Sequence, residues 1–225
     1  MKQSILTPQN QPEDWLDQII NECNHYLIRY LNFLYNDDLI LDVGANVGGF
    51  FLTWKNFSNN WILVEPSKYN CSEISKNLNN HKYQLINKAV DSKSGNIARL
   101  RKYIMNEGKE APSGNFSIND FINPDNGHGW KGEYEEVETI SFEDLVGDKK
   151  VGLLKVDCEG SEHDFLFNKN LKNIKYIVME LHNFLGVEKQ QELCSWIEKT
   201  HKEAHSEGNG EDSHYIKYWV NNELY

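Results

Sequence analysis

The segment L-I-L-D-V-G-A-N-V-G-G-F over residues 39–50 constrains the fold more than any other part of the chain. An apolar run ends at Asp42, a turn with Gly44 and Gly48 follows, and Phe50 lies where a helix would begin. A strand, a glycine turn and a helix N-terminus in this order form a nucleoside-binding corner of a parallel α/β sheet. The segment therefore predicts a ligand at the carboxyl end of the first strand.

The details of this turn argue against a dinucleotide. The dinucleotide fingerprint has a glycine where this chain has Asn46, and that glycine lets the backbone approach a pyrophosphate. Asp42 would also repel two phosphates. An acid here suits a cationic cofactor without phosphates, and S-adenosylmethionine, with its sulfonium and ammonium groups, is the obvious candidate.

A second acid ends the next apolar run, W-I-L-V-E-P over residues 61–66. Glu65 follows Gly44 at the spacing of about 20 residues at which an acid accepts hydrogen bonds from ribose hydroxyls. Adenosylmethionine sites and nicotinamide sites share this spacing. The acid therefore indicates an adenosine-containing ligand.

A third apolar run leads into several acids, in G-L-L-K-V-D-C-E-G-S-E over residues 152–162. Asp157, Glu159 and Glu162 lie within six residues. Holding these carboxylates close together is costly unless a ligand, a cation or water compensates them. The alternative is an acidic loop in which Asp157 or Ser161 caps the following helix.

The motifs D-V-G-A-N-V-G, V-E-P-S and L-K-V-D-C-E-G-S-E, in this order, resemble those of the FkbM family of class I S-adenosylmethionine-dependent methyltransferases. The resemblance covers roughly residues 39–185. It implies a Rossmann-like α/β fold with a mostly parallel seven-stranded sheet and helices on both faces. It also implies O-methylation, most often of a sugar hydroxyl in glycan or natural-product assembly.

The pattern of the remaining chain is consistent with one α/β domain. Apolar residues at near-helical spacing predict an N-terminal helical arm or cap within residues 1–38, and residues 39–225 form the methyltransferase domain. A Gly-, Asn- and Asp-rich stretch at 106–132 is too long for a plain connection and is expected to be a substrate loop. Further expected elements are hairpin strands at 97–104 and 134–140, a helix at 187–201 and an antiparallel terminal strand at 214–220.

Composition limits the partners and the compartment. The formal net charge of −11 disfavours nucleic acid, because a phosphate backbone needs patches of Lys and Arg. No apolar run is long enough to span a membrane, and the first residues do not form a signal peptide. The four cysteines contain no C-x-x-C pair and are expected to be reduced in the cytoplasm. The expected partner is a small-molecule or glycan acceptor.

The residues expected to bind the donor follow from the first strand ends. The backbone at Gly44, Asn46 and Gly48 should approach the methionine part of the cofactor. Asp42 should face its ammonium group, Glu65 its ribose, and Ala89 with Val90 or Asp91 its adenine. Asp157, at the end of the fourth parallel strand, is also expected to contact the cofactor.

The acceptor side offers a base and several polar contacts. His182 is the favoured general base because its unperturbed pKa of about 6.5 suits proton removal at neutral pH, with Asp157 or Glu159 as the second choice. Alternatively, His182 is a hydrogen-bonded structural residue. Strand alternation places Glu180 and His182 on the same face. Candidate substrate contacts are Glu162, Glu180, Asn115 and Trp130, and candidate ligands of a divalent cation are Asp157, Glu159, Glu180 and His182.

Two other functional classes remain open. A nicotinamide-dependent sugar-modifying oxidoreductase would share Glu65, but the chain lacks both the full glycine turn and a Tyr-x-x-x-Lys pair. A non-catalytic or partner-dependent S-adenosylmethionine-binding protein would keep Asp42 and Glu65 and tolerate the loss of Asp157, Glu159 and His182. All of these residues are present, which favours an enzyme.

Overall fold

The computed structural model describes residue 23 and residues 37–101, 104–105, 109–110, 134–182, 186–208 and 214–224. Most of the expected N-terminal arm and most of the expected loop at 106–132 thus lie outside the described residues. The strands are β1 (Leu39–Val43), β2 (Asn60–Val64), β3 (Gln84–Ile86), β4 (Ala89–Val90), β5 (Ile97–Arg101), β6 (Ile104–Met105), β7 (Lys109–Glu110), β8 (Tyr134–Ile140), β9 (Val151–Val156), β10 (Ile174–His182), β11 (His201–Glu207) and β12 (His214–Asn221).

The helices are α1 (Gly49–Trp54), α2 (Lys68–Asn77), α3 (Phe142–Leu145), α4 (Glu162–Leu166) and α5 (Val187–Ile197), with 3₁₀ turns at Lys55–Phe57 and Asn222–Leu224. Within the described ranges, none of these helices has the length and apolarity needed to cross a membrane.

Seven strands form the main sheet, in the order β11-β12-β10-β9-β1-β2-β3. The central strands β10, β9, β1, β2 and β3 are mutually parallel, and β12 is antiparallel to both of its neighbours. This confirms the expected mostly parallel sheet with an antiparallel terminal strand. The strand order reverses between β1 and β9, and in such sheets ligands bind at this reversal, outside the carboxyl ends of the strands.

Helices cover both faces of this sheet, as expected. On one face Phe142, Phe165 and Leu193 of α3, α4 and α5 pack against the strands. On the other face Phe50 of α1 and Ile74 of α2 do so. Because a layer lies on each side, β1 and β9 are buried along their whole length, which explains their nearly continuous apolar sequence.

A small second sheet adjoins the end of β3. Strand β8 pairs in parallel with β4 and antiparallel with β5. The expected hairpin strands are thereby confirmed at 97–101 and 134–140. Leu100 of β5 packs with Ala89 and Val137 in a small apolar cluster of its own. This sheet forms an apolar wall beside the carboxyl ends of the main strands.

The chain after residue 187 differs from the expectation. The helix expected at 187–201 ends at Ile197, and His201–Glu207 forms β11, which was not expected. The polar sequence H-K-E-A-H-S-E has little intrinsic strand character. Its strand conformation arises from pairing with β12, a tertiary contact that overrides local propensity.

Candidate active site at the carboxyl ends of the strands

An open cleft, whose empty volume of about 580 Å³ includes open solvent, lies at the carboxyl ends of β1, β2 and β9. Predicted site residues that line the cleft are Gly44, Asn46, Glu65, Ala89, Val90, Asp157 and Glu159. Lining residues that the sequence did not single out include Asn70, Lys88 and Leu100.

Gly44 brings the turn after β1 into contact with the turn after β9. Its φ of +77° is rarely adopted by L side chains, and a Cβ at this position would overlap the carbonyl oxygen of Asp157. The Gly44 N–H donates to the Val64 carbonyl at 2.9 Å, and the Asp157 N–H donates to the Val43 carbonyl at 3.0 Å. Three strand ends thus meet backbone to backbone, and only glycine fits between them.

Gly48 does not line the cleft, although it was expected to contact the cofactor. Its φ is +89°, and a Cβ would lie 3.2 Å from the Leu78 side chain. Gly48 therefore lets the Leu78 side chain pack closely against the start of α1. Asn46, in contrast, lines the cleft with a φ of 51°.

Glu65 is 3% exposed and holds the glycine turn from the neighbouring strand end. Its Oε2 accepts the Asn46 N–H at 2.8 Å, and its Oε1 accepts the Ser67 N–H at 2.9 Å and the Asn70 side-chain amide at 3.2 Å. Burial raises the pKa of Glu65 to about 7 against the opposing effect of these hydrogen bonds. A carboxylate offers about four acceptor positions, so Oε2 retains room for a ligand hydroxyl.

Asn70 is a lining residue that the sequence reasoning missed. Ser67 caps α2, with its Oγ accepting the Asn70 N–H at 3.3 Å. The cap fixes Asn70 in the first helical turn, from which its side chain reaches back to Glu65. The serine after the V-E-P strand end is the sequence signal that could have located this residue, because serine is a preferred helix N-cap.

Ala89, Val90 and Leu100 form one apolar wall of the cleft. Val90 and Asp91 were the alternative residues expected to contact the adenine, and of these two Val90 lines the cleft. Asp91 lies outside the lining, where its Oδ1 accepts the Ser92 N–H at 2.6 Å. Leu100 could not be placed from sequence because only the pairing of β5 with β8 brings it to this wall.

Asp42 does not face the cleft, contrary to the expectation. Its side chain is fully buried, and its Oδ1 lies 3.1 Å from Nζ of Lys155. Burial lowers the pKa of Lys155, but the charges of Asp42 and Asp157 outweigh burial and raise it, so that the lysine is protonated. Because Asp42 follows Ile40 on one face of β1, strand alternation directs it beneath the helical layer.

His182 is surrounded by carboxylates. Its Nδ1 lies 2.9 Å from Glu162, and its Nε2 lies 3.4 Å from Glu159 and 3.7 Å from Glu180. Burial alone would lower the pKa of His182, but Glu162, Glu159 and Asp157 raise it to about 10. An imidazole that is protonated at neutral pH cannot accept a proton, so this raised pKa disfavours His182 as the general base.

Glu162 is a structural partner in this cluster, although it was expected to contact the substrate. Its side chain is 5% exposed, and its Oε1 accepts the Gly160 N–H at 3.0 Å and faces His182. It therefore fixes both the turn after β9 and the orientation of the imidazole. Glu180, at 21% exposure, shares the face of His182 as strand alternation predicted.

A sequence model of the FkbM methyltransferase domain matches residues 42–207, a range that contains every residue lining the cleft. The chain belongs to the FkbM methyltransferase family. It is a methyltransferase that uses S-adenosylmethionine, as the resemblance of its three strand-end motifs implied.

A comparison with solved structures finds several of low similarity to this FkbM domain. M. capricolum TrmK in complex with S-adenosylhomocysteine has 9% identity and a TM-score of 0.47, over 97% of this chain and 70% of that one. Precorrin-6y C5,15-methyltransferase from Geobacter metallireducens has 11% identity and a TM-score of 0.46, over 97% and 94%. An rRNA methylase from Streptococcus thermophilus has 6% identity and a TM-score of 0.45, over 96% and 99%. Curated protein sequences give no significant match.

Three residues of the FkbM domain have the donor atoms that a divalent cation requires. Asp157, Glu180 and His182 each offer one ligand atom, and these atoms lie within 4.8 Å of one another. Carboxylate oxygens and an imidazole nitrogen suit ions such as Mn²⁺ or Zn²⁺. The Glu162 carboxylate on Nδ1 would orient Nε2 toward the ion, an arrangement common for metal-bound histidines. Glu159, the fourth expected ligand, is not part of this group.

Two expected substrate contacts, Asn115 and Trp130, lie outside the described residues. Their roles in the FkbM domain stay predictions.

Proposed function

We propose that this methyltransferase transfers a methyl group to a hydroxyl of a sugar or of a glycan or natural-product intermediate. The observation that carries the proposal is that Glu65, which follows β2, and Asp157 and Glu159, which follow β9, line one cleft. In-line methyl transfer requires donor and acceptor to be held close together and aligned. A hydroxyl acceptor also requires a group that takes its proton. The cleft has acids for both tasks.

In the proposed donor site, Glu65 accepts hydrogen bonds from the ribose hydroxyls. The adenine lies against Ala89, Val90 and Leu100, which belong to the apolar part of the lining. The methionine part lies along the turn at Gly44, with its ammonium toward Asp157. Asp157 supports this assignment because its side chain is 26% exposed, whereas Asp42 is fully buried.

Glu159 is the proposed acceptor of the hydroxyl proton. It lines the cleft, and its side chain is 21% exposed. Its φ of 53° is unusual for a residue other than glycine, and such strained positions cluster at functional sites. Both ring nitrogens of His182 face carboxylates, so the proposed role of His182 is to fix Glu159 and Glu180.

A divalent cation at Asp157, Glu180 and His182 is the second candidate for activating the hydroxyl. The close approach of three suitable ligand atoms favours it. When bound, such an ion would lower the pKa of a coordinated hydroxyl. Calorimetric titration of the chelator-treated protein with Mn²⁺ tests this: micromolar binding that Glu180→Gln abolishes supports it, and the absence of binding rules it out.

The charge distribution supports a small acceptor over RNA. The chain carries a formal net charge of −11, and the lining contains the acids Glu65, Asp157 and Glu159. The lining lysine, Lys88, is paired with Glu138 at 2.7 Å. Among the described residues, a phosphate backbone would meet no basic patch at this cleft.

Titration with S-adenosylhomocysteine, with NAD as the control ligand, is the first experiment. Micromolar binding of S-adenosylhomocysteine alone supports the donor site, and tight NAD binding contradicts it. Incubation with labelled S-adenosylmethionine and a panel of sugar nucleotides and glycosides then tests the acceptor by mass spectrometry. Binding without transfer to any hydroxyl favours the non-catalytic or partner-dependent alternative.

A further inference from the structure

Lys155 occupies the junction between the two turns that form the cleft. It lies on β9 at 3% exposure. Its Nζ donates to the Gly44 carbonyl at 2.8 Å, lies 3.1 Å from Oδ1 of Asp42 and lies 3.6 Å from Oδ2 of Asp157. A lysine ammonium has three N–H donors, and here three oxygens from the ends of β1 and β9 surround it.

These contacts give Asp42 and Asp157 different roles. A buried carboxylate is strongly unfavourable without a cation, and Lys155 supplies that cation to Asp42. The same ammonium holds the Gly44 peptide, which abuts the backbone of Asp157. Asp157 therefore keeps an exposed carboxylate at the cleft while its backbone is anchored.

We propose that Lys155 is a positioning residue for S-adenosylmethionine, which fixes the Gly44 peptide and leaves Asp157 as the acid that meets the methionine ammonium. This inference rests on the proposed donor site. Lys155 does not line the cleft, so its effect on the cofactor passes through Gly44 and Asp157. The alternative is a purely structural role, in which Lys155 only neutralises Asp42. The experiment must distinguish this role from the positioning role.

Two double variants separate these roles. Lys155→Met with Asp42→Asn removes both charges and the donor to Gly44. Lys155→Gln with Asp42→Asn removes both charges and keeps an N–H donor near the same carbonyl. The side chains of Met and Gln are similar in size, so the pair differs mainly in that donor.

Calorimetry with S-adenosylhomocysteine and with adenosine gives the readout. The variant with Lys155→Met and Asp42→Asn (the Met pair) is expected to bind S-adenosylhomocysteine at least about tenfold more weakly than wild type, because it loses a charge-assisted hydrogen bond. The variant with Lys155→Gln and Asp42→Asn (the Gln pair) is expected to recover most of this affinity. Adenosine lacks the methionine part, so its affinity should be unchanged in both. The matched control is Lys175→Met, which removes an ion pair between Lys175 on β10 and Asp38. This variant should bind S-adenosylhomocysteine like wild type.

Each outcome decides between the roles. Equal, wild-type affinities in both double variants would overturn the positioning role, as would equal losses or a parallel loss of adenosine binding. If the Met pair does not fold, Lys155→Leu with Asp42→Asn replaces it as the variant without an N–H donor: binding about tenfold weaker than in the Gln pair supports the inference, and equal binding overturns it. A wild-type protein that binds neither ligand would refute the proposed donor site itself.

Discussion

The carbonyl oxygen of Asp157 occupies the position that the first side-chain atom of residue 44 would need. The turns after β1 and β9 therefore touch through Gly44, at the point where the strand order of the main sheet reverses. This contact brings Asp157 beside the turn that follows β1, and both Gly44 and Asp157 line the cleft.

Gly44→Ala should destabilise the protein far more than Gly95→Ala. The two glycines have nearly equal φ values, +77° and +78°, but a Cβ at Gly95 meets nothing within 4 Å. Backbone strain alone predicts a loss of about 1–2 kcal/mol for Gly95→Ala. Overlap with Asp157 predicts more than about 4 kcal/mol for Gly44→Ala, or no folded protein. Urea unfolding measures both, and equal losses would show that the turns are not in contact.

Glu65→Gln should weaken the binding of S-adenosylhomocysteine by about 10- to 150-fold, the range for losing a hydrogen bond to a charged group. Calorimetry measures the affinity. Glu73→Gln is the matched control, since Glu73 is a buried acid on α2 that pairs with Lys76 outside the cleft lining. Its affinity should stay within about twofold of wild type, and similar losses in both variants would indicate general disruption instead.

The affinity for S-adenosylhomocysteine should rise with pH between 6 and 8. The pKa of Glu65 is raised to about 7, so the carboxylate that accepts the ribose hydroxyls forms as the pH passes this value. Full dependence on the ionised form predicts a gain of up to about tenfold from pH 6 to pH 8. Calorimetry across this range should show the slope in wild type and a flat profile in Glu65→Gln. If the pH dependence of the affinity persists in Glu65→Gln, a group other than Glu65 causes it.

Glu159→Gln should abolish most methyl transfer and leave the binding of S-adenosylhomocysteine nearly unchanged. A general base contributes about 10²–10⁴ in rate, and an amide cannot accept the hydroxyl proton. Single-turnover transfer from labelled S-adenosylmethionine measures the loss once an acceptor is found. Glu188→Gln, at an exposed position at the start of α5, provides the control. Transfer at the wild-type rate in Glu159→Gln would remove Glu159 from the mechanism.

Much of the fold could be predicted because the central parallel strands are mostly apolar. Burial on both faces accounts for the apolar residues of β1, β2, β9 and β10, and an acid lies near the end of β1 and directly after β2 and β9. Strand β11 could not be found in this way. Its seven residues are mostly polar, and only pairing with β12 makes them a strand.

The cleft was predictable to the extent that its residues follow strand ends. Gly44, Glu65 and Asp157 line it as the motifs indicated. Leu100 and Asn70 were missed, because one reaches the cleft through a hairpin and the other through the first turn of a capped helix.

The sequence by itself determined the family, the alternation of strands and helices, and the edge of the sheet at which the acids gather. Only the tertiary structure decided what each acid does. Asp42 and Asp157 are similar in sequence context, yet one is buried against Lys155 and the other opens into the cleft. His182 was expected to be a base, but the carboxylates of Glu159 and Glu162, which follow β9, and of Glu180 on its own strand surround it. The physical reason is that burial and charge pairing depend on neighbours from distant parts of the chain, which local sequence does not encode.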